Sequence, residues 1–312
     1  MEEKDNFDRF SFSILMASFN NEKYIEVAIK SVISQTYPFW ELIIVDDRST
    51  DNTLERITPF LTDNRIRLLK HKKNLGYSAS LKTAINNATH EIIGILDSDD
   101  KLHENALEIM AQAYKENLEC GFIYSTMWNC DSDLKNCVLN KYIQEIVPPK
   151  TSIFDARISH FKTFTKKAYN QTSGFDRNQK RAVDKDIIYK LEEVTNFKFI
   201  NKPLYYYRYH SGGISQAKNV DLAYLYSYRA KCKAYQRRLD KNLPNLNLNY
   251  LYTQYFIITL KDLITFVKKY IRLFRIKKIL NKLDILYPYE KRSQNRFMNF
   301  ILKKPQIKGR IK

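Results

Sequence analysis

Glycine is scarce in this chain, seven in 312 residues, and none is arranged as G-x-G-x-x-G or G-x-x-x-x-G-K-[ST]. The two backbone devices that cradle phosphates, the dinucleotide fingerprint and the P-loop, are therefore excluded. The four cysteines, Cys120, Cys130, Cys137 and Cys232, show no C-x-x-C spacing. They match neither a zinc site nor a disulfide framework, so reduced thiols are expected. No apolar run reaches the ~18 residues needed to span a bilayer, because Lys261 and Lys268-Lys269 interrupt the best candidate. Met1 to Arg9 is mostly charged and polar and lacks the apolar core of a secretory leader. A cytoplasmic location is expected, peripheral on the inner face of the membrane at most. Acidic residues are also in deficit, 34 against 52 Lys and Arg. That deficit is local: residues 1–217 carry 29 of each sign, whereas residues 218–312 carry 23 basic and 5 acidic residues. The change in charge marks a domain boundary near residue 217 and a tail suited to an anionic partner.

The acidic residues that remain are concentrated. Asp97-Ser98-Asp99-Asp100 follows directly on the apolar run Ile92 to Leu96. Carboxylates are rarely buried unless paired or bound to metal, so this turn reads as a ligand set for a hard cation such as Mg²⁺ or Mn²⁺ completed by substrate phosphates. A purely structural alternative is an N-cap, Asp99 or Asp100, for a helix over Leu102 to Tyr114. The pattern recurs upstream. Leu42 to Val45 ends in Asp46-Asp47-Arg48-Ser49-Thr50-Asp51-Asn52, and Phe12 to Met16 ends in Ala17-Ser18-Phe19-Asn20-Asn21, ahead of a helix from about Tyr24 to Ser34. Strand, polar loop and helix repeated in this way predict βαβ units on a parallel sheet, with the loops converging beyond the strand ends.

Ala17-Ser18-Phe19-Asn20, Val45 to Asp51, Asn74-Leu75-Gly76 and Leu96 to Asp100, followed by Gly174-Phe175-Asp176, Val183 to Asp186 and Tyr207 to His210, resemble in order and spacing a family 2 glycosyltransferase. The resemblance covers about residues 10–216. It implies a GT-A fold, a mixed, mainly parallel sheet flanked by helices, with a nucleotide half over about 10–115 and an acceptor half over about 116–217. The helical, basic C-terminal region lies outside it. Carried over by position, Ser18, Asn20 and Asp47 would hold base and ribose, with Asp46 structural. Asp97 would face ribose or metal, Asp99 would bind the metal between the two phosphates, and His210 would contact metal or pyrophosphate. Asp184 falls on the general base, with Asp186 in support. Mn²⁺ or Mg²⁺ and a UDP-sugar donor are implied, with a glycan or lipid-linked acceptor and cell-surface polysaccharide as product. The chain departs from the pattern at Ala17 and Phe19, at Arg48 where glycine is usual, at Ser80-Leu81-Lys82, whose lysine could reach the diphosphate, and at Val183.

Inverting sugar transfer needs a base for the acceptor hydroxyl and a cation for the charge growing on the diphosphate, and the carboxylates above supply both. His160, Phe161 and Phe164 are candidates for lining the acceptor pocket, while Tyr124 and Trp128 read as core. In the tail, Phe256, Leu260, Leu263, Val267, Tyr270 and Phe274 form one helical stripe, and Lys261, Lys268, Arg272, Arg275 and Lys282 form another. A helix of this kind over 256–282 could lie on an anionic membrane or pack on the catalytic domain. A nucleic-acid-binding protein and an inactive scaffold of the same fold are the competing readings; no nucleic-acid motif is present, and Asp97, Asp99 and Asp184 are all retained.

Overall fold

The computed structural model describes residues 10–147, 150–153, 157–213 and 220–241, all within one compact unit spanning residues 1–244. The basic stripe expected over 256–282 lies outside the described residues.

Three strands form the middle of the nucleotide half: β1 (Phe12–Ser18), β2 (Trp40–Asp46) and β4 (Ile92–Ile95). All three are buried along their whole length, which is why they read as mainly apolar runs, and they pair in parallel. The registers Phe12↔Trp40 and Phe12↔Ile92 bring their C-terminal ends level. β3 (Ile66–Lys70), which follows β2 in the chain, pairs with β2 on its outer side at the sheet edge, a strand the sequence pattern does not announce because its residues are mostly half-exposed. Helices α1 (Ile25–Ile33), α2 (Thr53–Ile57), α3 (Tyr77–Asn86) and α4 (Ala106–Glu116) alternate with the strands.

The second half adds β5 (Lys101–Leu102), β6 (Cys120–Cys130), β7 (Cys137–Leu139), β8 (Lys162–Thr165) and β9 (Asn196–Arg208), with α5 (Lys166–Asn170), α6 (Val183–Leu191) and α7 (Val220–Lys241). The sheet order is β3-β2-β1-β4-β8-β6-β9-β5, with β7 hairpinned onto β6. β8 runs antiparallel between β4 and β6, so the sheet is mixed but mainly parallel in its first half.

Four expectations are corrected. The helix after the acidic turn begins at Ala106 behind Asn105, and neither Asp99 nor Asp100 caps it, because β5 intervenes. Phe161 and Phe164 are 0% and 1% exposed and belong to the core, not to an acceptor pocket. Trp128 is half-buried and outside the core cluster. Finally, Cys130 and Cys137 are joined by a disulfide, because the β6–β7 register places them opposite each other.

The Gly174-Phe175-Asp176 turn binds the second half together. Gly174 has φ +65°, and a Cβ there would stand 2.6 Å from the Tyr169 Oη, so only glycine fits. Phe175 packs against Tyr169 and Phe164. Asp176 accepts from Lys233 Nζ at 2.8 Å and Arg229 Nη1 at 3.1 Å, both on α7, while Arg238 and Arg237 of the same helix pair with Glu192 and Glu193. The first part of the basic segment is thus neutralised within the fold. Burial alone would raise the Asp176 carboxyl, but the bonds from Lys233 and the Asn178 N–H and the two cationic charges hold it well below the usual carboxylate range.

Asp176→Asn should lower stability by about 1–3 kcal/mol in a denaturant titration. The wild-type contribution is complete above the ordinary value of 3.8 and is lost as pH falls below it, since the folded state then resists a proton that the unfolded chain accepts. The wild-type advantage over Asp176→Asn should therefore shrink with acidification; a constant difference down to pH 3 would exclude this ion pair as its source.

Candidate active site

Parallel pairing places the loops after β1, β2 and β4 along one rim, and hydrogen bonds lock them to each other. Asn20 Oδ1 accepts from Thr50 N at 2.8 Å, Asn21 Nδ2 donates to Ser98 Oγ at 2.7 Å, and Asp47 N donates to Ser18 O at 2.8 Å. Asn20 and Arg48 both adopt left-handed backbone, φ +50° and +69°. Asparagine tolerates this conformation and arginine does so at a cost, which explains why glycine is usual at the second position.

Asp47 is buried and fully engaged. Its Oδ2 accepts from Gly76 N at 2.7 Å, and its Oδ1 accepts from Leu75 N at 2.8 Å and meets His71 Nδ1 at 2.8 Å. It thereby fixes the loop leading into α3, where Gly76 turns with φ +88°. Ser18 and Asp46, register partners on β1 and β2, are buried too, and here Ser18 Oγ and Asp46 Oδ1 have no hydrogen-bond partner. The polar atoms left unsatisfied at this rim are thus on Ser18 and Asp46, whereas those of Asp47 are in use. Lys82 is half-buried on α3, more than a turn beyond Tyr77.

The acidic turn divides its labour. Asp100 is buried, its Oδ1 accepting from Arg208 N at 2.7 Å and its Oδ2 from Tyr205 Oη at 2.8 Å, so it anchors the turn to β9. Burial and the neighbouring charges of Asp99 and Asp97 push its carboxyl well above the ordinary range. Asp99 keeps a quarter of its side chain exposed and meets His210 Nε2 at 2.8 Å. The His210 ring lies against Tyr24 at 4.8 Å, and Arg208 Nε donates to Asp99 O at 2.5 Å.

Asp97 lies where the elements meet. Tyr77 Oη donates to its Oδ1 at 2.5 Å, and His160 Nε2 stands 3.6 Å from its Oδ2. Burial, opposed by the charge of Lys162 and reinforced by Asp99 and Asp184, raises its carboxyl to about 6. Asp184, in the first turn of α6, is close enough for its charge to raise both Asp97 and Tyr77. Asp186 is buried and paired with Lys190 at 2.6 Å, one turn along the same helix.

The sequence pattern does not mark Lys162 or Tyr77, and it marks His160 only as a candidate for lining the acceptor pocket. Lys162 is 1% exposed on β8 and its Nζ lies 3.1 Å from His160 Nδ1. Burial and the lysine charge hold the His160 imidazole well below its ordinary value, so it is neutral. With Nδ1 accepting from Lys162, the ring proton sits on Nε2, facing Asp97. A lysine inside Phe161-Lys162-Thr163-Phe164 is a visible anomaly in a buried strand, but its partner could not be read without the fold.

A divalent cation suits this donor set: Asp97 and Asp99 are hard oxygen ligands, and the like charge that raises Asp97 is what a cation would relieve. Among the described residues no group of three His, Cys, Asp or Glu converges to hold an ion unaided, so the remaining positions would fall to diphosphate oxygens.

Comparison with known proteins finds relatives of both the sequence and the fold. The family model described as Glycosyl transferase family 2 matches residues 13–177. Chondroitin synthase of Escherichia coli is 34% identical over 211 residues, 67% of this chain but 30% of that protein. Glycosyltransferase GlyG of Streptococcus pneumoniae is 31% identical over 66% of this chain and 73% of its own length. The chain spans less than a third of the length of the bacterial synthases it matches. Among solved structures, S. aureus TarS 1-349 in complex with UDP-GlcNAc superposes with a TM-score of 0.59 at 22% identity, covering 70% of this chain and 65% of that one.

Asp47→Asn places an amide nitrogen against a backbone N–H and should cost about 1–3 kcal/mol. Hydrogen exchange should speed up at the amides of Leu75 and Gly76. Unchanged exchange there would show that Asp47 does not hold the loop.

Proposed function

Because the chain belongs to glycosyl transferase family 2, we propose that it transfers a sugar, with inversion, from a UDP-sugar to a glycan or lipid-linked acceptor in the synthesis of a cell-surface polysaccharide. The observation that carries this reading is that the acidic turn after β4, with Asp99 paired to His210, lies close enough to Asp184 at the start of α6 for the Asp184 charge to raise the Asp97 carboxyl. The relatives named above include chondroitin synthase, and TarS has been solved with UDP and with UDP-GlcNAc. These support a uridine donor and a polymeric product.

The residues divide between the two faces of the reacting carbon. Ser18 and Asp46 offer unpartnered oxygens to the nucleoside, while Asn20 and Asp47 hold the loops that shape its pocket. Asp97, oriented by Tyr77, and Asp99, oriented by His210, face the diphosphate; Lys82 sits on the helix behind this loop. A divalent cation bound there with the donor would neutralise the charge that grows on the leaving diphosphate. Lys162 lowers the cost of keeping Asp97 ionised, and the neutral His160 between them passes on no net charge. On the other face Asp184 accepts the acceptor hydroxyl proton as that oxygen bonds to the anomeric carbon, and the electron pair of the breaking C–O bond leaves with UDP.

No helix among the described residues is long and apolar enough to cross a membrane. A peripheral hold on an anionic membrane surface through residues 256–282 remains part of the proposal, and a vesicle cosedimentation assay tests it.

UDP should raise the melting temperature with Mn²⁺ and much less with EDTA, whereas oligonucleotides should have no effect. Asp184→Asn should keep that stabilisation yet lose about 10²–10⁴-fold in transfer. Full turnover in this variant would remove Asp184 as the base, and stabilisation by oligonucleotides alone would favour a nucleic-acid-binding protein.

A further inference from the structure

Strand β9 has two working faces. Over residues 204–207 its side chains alternate: Tyr205 and Tyr207 lie against His160, with ring centroids 4.7 and 5.7 Å from it, on the side of the acidic turn. Leu204 and Tyr206 face the other way and line a cavity of about 580 Å³, within the range of small-ligand sites. None of the transfer machinery described above lines it.

The wall chemistry is specific. Trp128 and Tyr206 supply aromatic surface, and the His103 ring lies nearly parallel to Tyr206, 8° between planes with centroids 6.1 Å apart. Two lining residues carry buried polar atoms without a partner, His103 Nδ1 and Asn105 Oδ1. Lys135 and Lys202 are exposed lining residues, and neither forms an ion pair among the described residues. Lys101 adds a third positive charge, its Nζ 5.2 Å from the Tyr206 ring centroid. No Asp or Glu is among the lining residues; the nearby acids are Glu104, whose charge reaches Tyr206, and Asp131, whose Oδ1 accepts from the Lys135 N–H at 2.9 Å. One wall is Cys137, tied to Cys130 across the β6–β7 hairpin.

Flat rings favour the C–H faces of pyranoses, unsatisfied polar atoms favour hydroxyls, and unpaired lysines favour carboxylates. From this combination we propose that the cavity behind β9 is a second, non-catalytic binding site for an anionic saccharide, a glycan bearing uronate residues. Such a site would retain polymer on the enzyme while transfer proceeds on the opposite face of the same strand.

Intrinsic fluorescence gives a direct readout, because the chain has two tryptophans and Trp40 is 2% exposed in the core. A hexasaccharide alternating uronate and N-acetylhexosamine should change Trp128 emission saturably in the full chain without nucleotide or metal. Its carboxyl-reduced counterpart should bind about tenfold more weakly, and the double variant Lys135→Ala, Lys202→Ala should lose about tenfold for the charged glycan only. Trp128→Phe should remove the signal, with binding then followed calorimetrically. All variants should retain stabilisation by UDP with Mn²⁺, which shows that they are folded. No saturable binding, equal affinity for the neutral glycan, or indifference to the lysine substitutions would each overturn the proposal. Because the titration needs no donor, its failure is distinguishable from failure of UDP binding.

Discussion

The structure turns on how four residues, 97–100, keep three carboxylates at the end of a buried strand. Left to themselves, like charges so close and so poorly hydrated would repel each other and take up protons. Each is instead given a different environment. Asp100 is engaged by Arg208 N and Tyr205 Oη, Asp99 is oriented by His210 while keeping part of its side chain exposed, and Asp97 is bonded by Tyr77 and partly offset by the charge of Lys162. Asp100 thus acts as the fastener that draws β9 onto the turn, and β9 delivers His210 to Asp99. Asp97 and Asp100 both keep carboxyls above the ordinary range, and the crowding of negative charge in this turn is the structural reason to expect a cation with a diphosphate there.

The same constraint accounts for what the sequence could reveal. β1, β2 and β4 are covered on both faces, so they are mostly apolar, with Ser13 bonded to Glu41 as a paired exception, and such runs with their polar termini are visible without a structure. The helix expected from about Tyr24 to Ser34 matches α1 to within a residue at each end. Elements set by partners rather than by their own pattern were illegible. β3 is a half-exposed edge strand with Arg67 inside it, and β5 has two residues held by β9. Ion-pair partners follow the same logic. Lys162 stands out in an apolar strand, yet that it faces His160 and opposes Asp97 depends on β8 lying next to β4.

Cysteine arithmetic failed for a related reason. Spacing tests look for zinc ligands or frameworks of several bridges, whereas a single pair seven residues apart is decided by whether a hairpin forms between them. Trp128 belongs to the same error: it lies in the outer part of β6, beyond the core, where the β6–β7 hairpin and β9 leave a cavity instead of a packed layer.

Net charge is the measure most altered by the fold. An excess of +18 suggests a surface seeking an anion. Yet Arg229, Lys233, Arg237 and Arg238 on α7 are taken up by Asp176, Glu192 and Glu193, which belong to the catalytic unit. The acidic residues of the first half and the basic residues of the second are therefore partly one system, and the sharp boundary near residue 217 describes composition better than packing. Lys135 and Lys202 at the cavity behind β9 form no ion pair among the described residues and sit beside aromatic surface. Charge indicates a ligand most clearly where the protein has left it unanswered, and by that criterion the cavity says more about binding than the total does.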